Sequence, residues 1–167
     1  MSSSWITRAE TAADVAAIRE VNLQAFGKTY EPNLVEALRA DPSAWLPGLS
    51  IVATTGDGEV VGHVLLSRCH IGETPVLSLG PVAVLPAYQG RGVGSAVIRA
   101  GLAEARTQGE QLVILLGHLD YYPRFGFRPA ADFGIDGPIS GPHLMVLPLD
   151  DQPVPAGTIS YPVTWDL

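Results

Sequence analysis

The sequence reads Gln89-Gly90-Arg91-Gly92-Val93-Gly94-Ser95 between a segment with the pattern of a strand and one with the pattern of a helix. Glycine lets the backbone approach a ligand closely and adopt positive φ values. The N–H groups left unpaired in the first helical turn, together with the helix dipole, form a site that suits phosphate or pyrophosphate. The stretch is therefore a candidate anion-binding loop, and a tight turn without a ligand is the alternative. The Arg91 side chain could add a charge-assisted contact or face solvent.

Two common nucleotide-binding motifs do not fit this loop. A Rossmann Gly-x-Gly-x-x-Gly motif counted from Gly90 requires a third glycine where the chain has Ser95, and one counted from Gly92 requires it where the chain has Val97. The neighbouring strands also read as hairpins rather than as βαβ units. A Walker A loop is excluded because the sequence contains no Gly-Lys-Ser or Gly-Lys-Thr.

Hydrophobic periodicity and turn residues predict hairpins and helices on both sides of the loop. In chain order the predicted elements are an edge strand over 5–8, a helix between the cap Thr11 and the stop Gly27, a helix over 32–40, strands over 49–54, 59–67 and 76–85, a helix over 93–107, and strands over 111–116 and 143–147. Gly80-Pro81 interrupts the third of these hairpin strands. Because proline has no N–H to donate, we expect a bulge or a splayed, unpaired stretch there.

Length and composition exclude several classes of protein. The chain has 167 residues and a formal net charge of -7, and phosphate contacts need clustered cations, so nucleic acid is not an expected partner. The single cysteine, Cys69, allows no intrachain disulfide and no multi-cysteine metal site. We find no signal peptide and no apolar run of the roughly 20 residues that a membrane span needs. These features predict a soluble cytoplasmic protein without a membrane partner.

Three elements of the sequence resemble those of the GNAT superfamily of N-acetyltransferases. The loop matches the (Arg/Gln)-x-x-Gly-x-(Gly/Ala) signature, the segment over 79–86 is similar to the central strand of that family, and Tyr122-Pro-Arg-Phe-Gly-Phe127 resembles its Tyr-x-x-x-Gly-Phe element. The resemblance extends in outline over residues 5–149. It implies an α/β (α+β) fold in which a mixed, mostly antiparallel central sheet is flanked by helices and splayed at the central strand.

The resemblance also implies acetyl-CoA as the co-substrate and no metal. The loop residues that would bind the pyrophosphate of CoA are Gln89, Gly90, Arg91, Gly92, Val93, Gly94 and Ser95. The pantetheine arm would lie beside the central strand and pair with the backbone of Val82, Ala83 and Val84, as an added strand would.

For catalysis, the resemblance implies that Tyr122 is the general acid that protonates the leaving thiolate, whereas Tyr121 is expected to pack in the core. Ser78 occupies the position where some members of the family have a glutamate, and could hold a water. His118 could take a proton from the amine directly or through water. A turn histidine bonded to backbone, and a water relay with no dedicated base, are the alternatives. The short connection from Gly117 to Tyr121 predicts an abbreviated helix there.

The resulting hypothesis is an N-acetyltransferase that moves the acetyl group of acetyl-CoA to a primary amine by direct attack. A non-catalytic module that senses acyl-CoA and a toxin-type enzyme that acetylates aminoacyl-tRNA are the alternatives. We expect the acceptor site near the first two helices, where the candidate lining residues are Asn22, Tyr30, Glu31 and Trp45. His63, His70 and His143 lack metal-ligand spacing and are interpreted as structural. Residues 1–167 are interpreted as one domain, with 150–167 as a C-terminal tail that packs on the domain or on the partner subunit of a homodimer.

Overall fold

The computed structural model describes residues 5–139 and 141–166. The helices of this part are α1 Val15–Phe26, α2 Tyr30–Arg39 and α3 Val93–Thr107. The strands are β1 Ile6–Ala9, β2 Ser50–Thr54, β3 Val60–Ile71, β4 Thr74–Val84, β5 Leu112–Leu116, β6 Arg128–Pro129, β7 Ile135–Asp136, β8 Leu144–Pro148 and β9 Gly157–Ser160. None of the helices in the described ranges is long and apolar enough to cross a membrane.

The strands form a mixed sheet in the order β1-β2-β3-β4-β5-β8-β6. All neighbours in this order are antiparallel except β4 and β5, which are parallel. At the end of β3, β9 adds as an antiparallel neighbour, and it also pairs in parallel with β7. The predicted mixed, mostly antiparallel sheet is therefore confirmed.

Helices cover both faces of the sheet because the side chains of each strand alternate between the faces. On β2, Ile51 and Ala53 pack in a core cluster with α3, whereas Val52 packs in a second cluster with α1 and α2. The helices contribute apolar stripes to these clusters: Val93, Val97, Ile98 and Leu102 from α3, and Ile18, Val21, Leu34, Val35 and Leu38 from α1 and α2. Full burial of such a side chain contributes roughly 1.5–3 kcal/mol, so the two clusters fix the helices against the sheet.

The sheet opens between β4 and β5. Only two residue pairs join these strands, Leu77 with Val113 and Ser78 with Ile114. On the other side of β4, the register with β3 shifts between Val64 and Leu66, which face Val82 and Leu79. The shift brackets Gly80-Pro81, which confirms the bulge and the splay predicted from the missing proline N–H.

The largest differences from the sequence predictions are the start of α2, the end of β3, the start of β4 at Thr74 instead of position 76, and the unpredicted strands β6, β7 and β9. Helix α2 begins at Tyr30 instead of position 32, because proline is tolerated in the first turn of a helix. Strand β3 continues to Ile71, four residues beyond the predicted end, because it stays paired with β4 up to Thr74. The tail forms β9, which was not predicted because its four residues gain their partners only through tertiary packing.

A chain of hydrogen bonds crosses the interior from α2 to α1. Arg39 donates two hydrogen bonds of 3.0 Å to the Glu10 carboxylate, which also accepts one from Ser50 Oγ. Since Ser50 donates its proton there, its oxygen accepts from His63 Nε2–H at 2.9 Å. The other ring nitrogen, His63 Nδ1, accepts from Asn22 Nδ2 at 3.2 Å. These partners fix His63 as the neutral Nε2–H tautomer.

The free energy of unfolding should fall by up to about 3 kcal/mol as the pH drops from about 7 to about 4. Burial, with a smaller contribution from the Arg39 guanidinium, lowers the pKa of His63 from 6.5 to about 3. Between these values the unfolded state binds one more proton than the folded state. Stability that is fully present above pH 6.5 is therefore lost on acidification through this window.

Urea unfolding of the wild-type protein and of His63→Gln across this pH range measures the effect. The variant cannot take up this proton on unfolding, so its stability should depend less steeply on pH. A hydrogen bond from Arg8 lowers the pKa of Asp14 to about 2. Asp14 is present in both proteins, so its contribution to the pH dependence of stability is the same in each and cancels when they are compared. Equal slopes for the two proteins would contradict the role assigned to His63.

Candidate active site

A cavity of about 880 Å³ lies where β4 separates from β5. Its first half is lined by β4 over 78–82, by residues 116–118 after β5 and by Tyr121 and Tyr122. Its second half is lined by the end of α1, the first turns of α2 and the C-terminal segment. Because one cavity joins both halves, a ligand along β4 and a ligand between the helices and the tail would meet inside it.

The glycine loop enters α3 with an uncapped N-terminus. Gly92 is the N-cap residue with a φ of 86°, a conformation that favours glycine. Its carbonyl accepts the first helical hydrogen bond, from Ala96 N at 3.0 Å, and glycine has no side chain that could cap the helix. The N–H groups over 93–95 belong to the first turn, where α-helices leave N–H groups without an intrahelical acceptor. The loop therefore has the conformation that the predicted anion site requires.

Two loop side chains bind the protein itself. Gln89 Nε2 donates to the Val84 carbonyl at 3.1 Å. The Arg91 guanidinium lies over the rings of Trp5 and Tyr88, at 5.5 and 5.1 Å from their centroids. The Trp5 indole N–H also donates to the Arg91 carbonyl at 3.0 Å. These contacts brace the loop from outside, so its backbone is the part best placed for a ligand.

Strand β4 has one free edge beside the gap. Its residues 82–84 pair with β3, whereas the described part of β5 pairs only with Leu77 and Ser78. Val82 and Val84 pack against the α3 cluster, and Ala83 is buried in the cluster of α1 and α2. This edge is the one that an extended ligand could join by backbone hydrogen bonds.

The adjacent tyrosines point in different directions. The Tyr121 hydroxyl lies 2.9 Å from Ser95 Oγ, at the start of α3. The Tyr122 ring lies against Gly117, where an added Cβ would come within 2.3 Å of ring carbon Cε2. It also meets Phe127 edge to face at a centroid distance of 5.9 Å. Burial, followed by the neighbouring Tyr121, raises the pKa of Tyr122 to about 12, so its phenol stays protonated near neutral pH.

The structure extends the prediction for Tyr121. Its ring packs against the α3 core cluster, as expected, but its hydroxyl also reaches Ser95 and it lines the cavity. The sequence did not indicate this contact because the orientation of two adjacent tyrosines in a short turn depends on the turn itself. Residues 119–121 form this turn and the 3₁₀ helix Tyr122–Phe125 follows it, so the abbreviated helix predicted over Gly117 to Tyr121 is wrong: that connection is a turn.

His118 and Ser78 line the same cavity as Tyr122. His118 is exposed, and its carbonyl accepts hydrogen bonds from the N–H groups of Tyr121 and Tyr122 at 3.2 and 3.3 Å. Ser78 is buried and is the last residue of β4 that pairs with β5. All three candidate catalytic residues are therefore brought to one cavity.

Residues 15–127 match the model of the Acetyltransferase (GNAT) family. The chain belongs to this family. It is 45% identical over 136 residues to the uncharacterized N-acetyltransferase YjhQ of Escherichia coli K12, a match that covers 78% of this chain and 74% of the relative. It is also 30% identical over 128 residues to the uncharacterized N-acetyltransferase YhbS of the same strain, with 75% of each chain covered.

Two solved structures are similar over almost the whole chain. A GNAT family acetyltransferase from Brucella melitensis, in complex with acetyl-CoA, has a TM-score of 0.82 and 36% identity, and the match covers 98% of this chain and 99% of that one. YhbS from Escherichia coli, in complex with CoA, has a TM-score of 0.90 and 26% identity, with coverages of 100% and 94%. The predicted GNAT fold is confirmed, and the protein is an acyltransferase.

The acceptor side of this GNAT protein differs in part from the sequence prediction. Tyr30 and Glu31 line the cavity, as expected. Asn22 does not, because it is used in the buried chain through His63. Trp45 packs in the cluster of α1 and α2, where the Arg39 guanidinium lies 5.2 Å from its ring centroid. These two assignments were wrong because spacing along a helix does not reveal which neighbour a side chain meets.

The contribution of the C-terminal segment to the cavity was not predicted from the sequence. Ile159, Tyr161 and Trp165 line its second half. Trp165 packs beside α2, and its carbonyl accepts a hydrogen bond from Tyr30 Oη at 3.3 Å. The alternation of apolar residues in the tail was the available signal, but it did not indicate what the tail would cover.

The remaining titratable candidates have structural positions. The described residues contain no group of three or more His, Cys, Asp or Glu side chains that could hold a metal ion. His143 Nδ1 lies 2.9 Å from the Gly117 carbonyl. This histidine is not part of the buried hydrogen-bond chain through His63. Burial raises the pKa of Cys69 to about 12, so this thiol is an inert core residue.

Proposed function

We propose that this GNAT protein transfers the acetyl group of acetyl-CoA to a primary amine. The observation that supports this best is the gap between β4 and β5, which opens into one cavity beside Tyr121 and Tyr122. The similar proteins of Brucella melitensis and Escherichia coli are complexes with acetyl-CoA and CoA. The known complexes and the gap together support acetyl-CoA as the donor.

The loop and β4 divide the binding of the donor between them. The backbone N–H groups over 90–95 would hold the pyrophosphate, because an uncapped helix N-terminus favours anions. The free edge of β4 at Val82, Ala83 and Val84 would pair with the amides of the pantetheine arm, apart from the Val84 carbonyl, which accepts from Gln89. Gln89 and Arg91 would act indirectly, by bracing the loop through Val84 and the aromatic rings.

The acetyl transfer requires two proton movements. The amine nitrogen attacks the thioester carbonyl carbon, the C–S bond breaks, and the sulfur leaves as a thiolate. The Val82 N–H would stabilise the negative charge that develops on the carbonyl oxygen. Tyr122 would donate a proton to the thiolate. His118, with a water held by Ser78, would receive the proton that the amine loses.

Titration of the protein with acetyl-CoA in a calorimeter, followed by an assay for amine-dependent release of CoA thiol, tests the proposal. We expect saturable binding, and thiol release that depends on an added amine with a KM for acetyl-CoA in the range of about 1 μM to 1 mM. His118→Ala should change the pH–rate profile, and an unchanged profile would assign the proton transfer to a water relay. Failure of the folded protein to bind acetyl-CoA would overturn the proposal.

The same experiment separates the alternatives. Binding without turnover of any amine would identify a module that senses acyl-CoA, and retention of charged tRNA in a mobility-shift assay would support the aminoacyl-tRNA enzyme.

We further propose that the whole chain acts as one cytoplasmic domain, whose tail completes the cavity with Ile159, Tyr161 and Trp165. Light scattering would detect the homodimer that remains an alternative for the tail.

A further inference from the structure

The second half of the cavity, where we expect the acceptor amine to bind, combines many apolar side chains with one carboxylate. Its aromatic lining residues are Phe26, Tyr30, Tyr161 and Trp165, and its aliphatic ones include Leu34 and Ile139. Glu31 is the one carboxylate among the described residues that line the cavity, and no lysine or arginine is among them. An acceptor with a negative group would find no cationic partner there, whereas a protonated amine would find both a carboxylate and aromatic faces.

The Glu31 carboxylate has few partners of its own. Its Oε2 lies 3.6 Å from Lys28 Nζ, on a lysine side chain that is 64% exposed, whereas the Glu31 side chain is only 15% exposed. Its Oε1 is buried and accepts no hydrogen bond from the described residues. Because an ion pair with an exposed lysine contributes little, the Glu31 carboxylate remains able to attract a cationic ligand in the cavity.

A second unsatisfied group lies in the same lining. Trp165 Nε1 is buried and donates no hydrogen bond within the described ranges, although the Trp165 carbonyl is joined to α2 through Tyr30 Oη. Glu31 and Trp165 thus place an unused acceptor and an unused donor on different elements that line one cavity.

We propose that Glu31 is the positioning residue that receives the ammonium group of the acceptor, and that the acceptors are primary amines with an apolar or aromatic body and no anionic group. The inference rests on the proposed acetyl transfer and names its substrate class. The incoming ammonium would donate to the Glu31 carboxylate while the apolar body lies against the aromatic lining, and the amine would attack the thioester only after it has lost a proton to His118. Free amino acids and acidic amines are excluded, because their carboxylates would lie near Glu31 without a cationic partner.

Three probes of similar shape test this class by calorimetry on the CoA-saturated protein: 2-phenylethylamine, 2-phenylethanol and phenylalanine. The first carries the cation, the second replaces it with a hydroxyl, and the third adds a carboxylate. We expect 2-phenylethylamine to bind at least tenfold more tightly than either of the others. Equal affinity for 2-phenylethylamine and phenylalanine, or no detectable binding of 2-phenylethylamine, would overturn the inference.

The variant Glu31→Gln keeps the size of the side chain and removes its charge. It should weaken the binding of 2-phenylethylamine at least tenfold, leave that of 2-phenylethanol within about twofold and leave CoA affinity unchanged. The matched control is Glu36→Gln on the same helix, where the carboxylate is 43% exposed and pairs with Arg19. This control should bind all three probes like the wild type, and an unchanged affinity of Glu31→Gln for the amine would overturn the inference.

The two proposals can fail separately. Loss of acetyl-CoA binding by the wild-type protein would overturn the proposed acetyl transfer. Normal acetyl-CoA binding and amine-dependent thiol release, with the same KM for the amine probe in Glu31→Gln as in the wild type, would overturn only the role of Glu31. A thermal midpoint of Glu31→Gln that falls while its amine affinity stays constant would assign Glu31 to the stability of α2 and would also overturn the inference.

Discussion

Replacing Gly92 with glutamate should weaken the binding of acetyl-CoA at least about 100-fold, which corresponds to about 2.7 kcal/mol. The residue is the N-cap of α3 and has a φ of 86°, and an added Cβ would meet no other atom within 4 Å. The substitution therefore adds a carboxylate to an open surface beside the N–H groups over 93–95. A negative charge there would compete with the pyrophosphate for the helix N-terminus and repel it. Calorimetric titration with acetyl-CoA measures the loss.

The control for this variant is Gly58→Glu. Gly58 lies in the turn between β2 and β3, has a φ of 88°, and likewise offers open space to a Cβ. Both substitutions impose the same backbone strain and add the same charge, but only Gly92 adjoins the proposed pyrophosphate site. Gly58→Glu should therefore lower the thermal midpoint by a similar amount and bind acetyl-CoA like the wild type. Equal losses of affinity in both variants would remove the loop from the donor site.

The parts of the fold that follow from local sequence were predicted well. Helix α3 spans Val93–Thr107 in the structure, as predicted, because both its glycine start and its apolar periodicity are local signals. The splay beside Gly80-Pro81 was predicted for a similar reason, since the missing proline N–H acts at its own position. The antiparallel pairing of β2, β3 and β4 followed from the hairpin turns, and the mixed sheet followed from the resemblance to the GNAT family.

The parts of the site that depend on tertiary contacts were not predictable in the same way. Asn22 and Trp45 lie on the correct side of the sheet, but both are used within the core instead of the cavity. Trp165 reaches the cavity only because β9 returns along β3 and brings the tail to α2. Glu31 was one of several candidates, and its unused oxygen becomes visible only when its neighbours are placed. In each case the decisive partner is far away in the sequence.

Tyr122→Phe should lower kcat by about 100-fold, since a positioned general acid contributes typically 10²–10⁴-fold. Its raised pKa of about 12 keeps the phenol protonated near neutral pH. Deprotonation of Tyr122 should therefore not lower the wild-type rate below about pH 10. The substitution keeps the ring that packs against Gly117 and Phe127, so folding and the KM for acetyl-CoA should change little. Steady-state measurement of thiol release gives both parameters.

The adjacent residue supplies the matched control, because Tyr121→Phe also removes one hydroxyl from the same cavity. The Tyr121 hydroxyl meets Ser95 at the start of α3, so its loss should act on the binding of the donor and raise the KM for acetyl-CoA with little change in kcat. The reverse pattern would transfer the role of general acid to Tyr121. A normal kcat in both variants would show that the thiolate leaves without a phenol, because neither tyrosine would then donate a proton in the transition state.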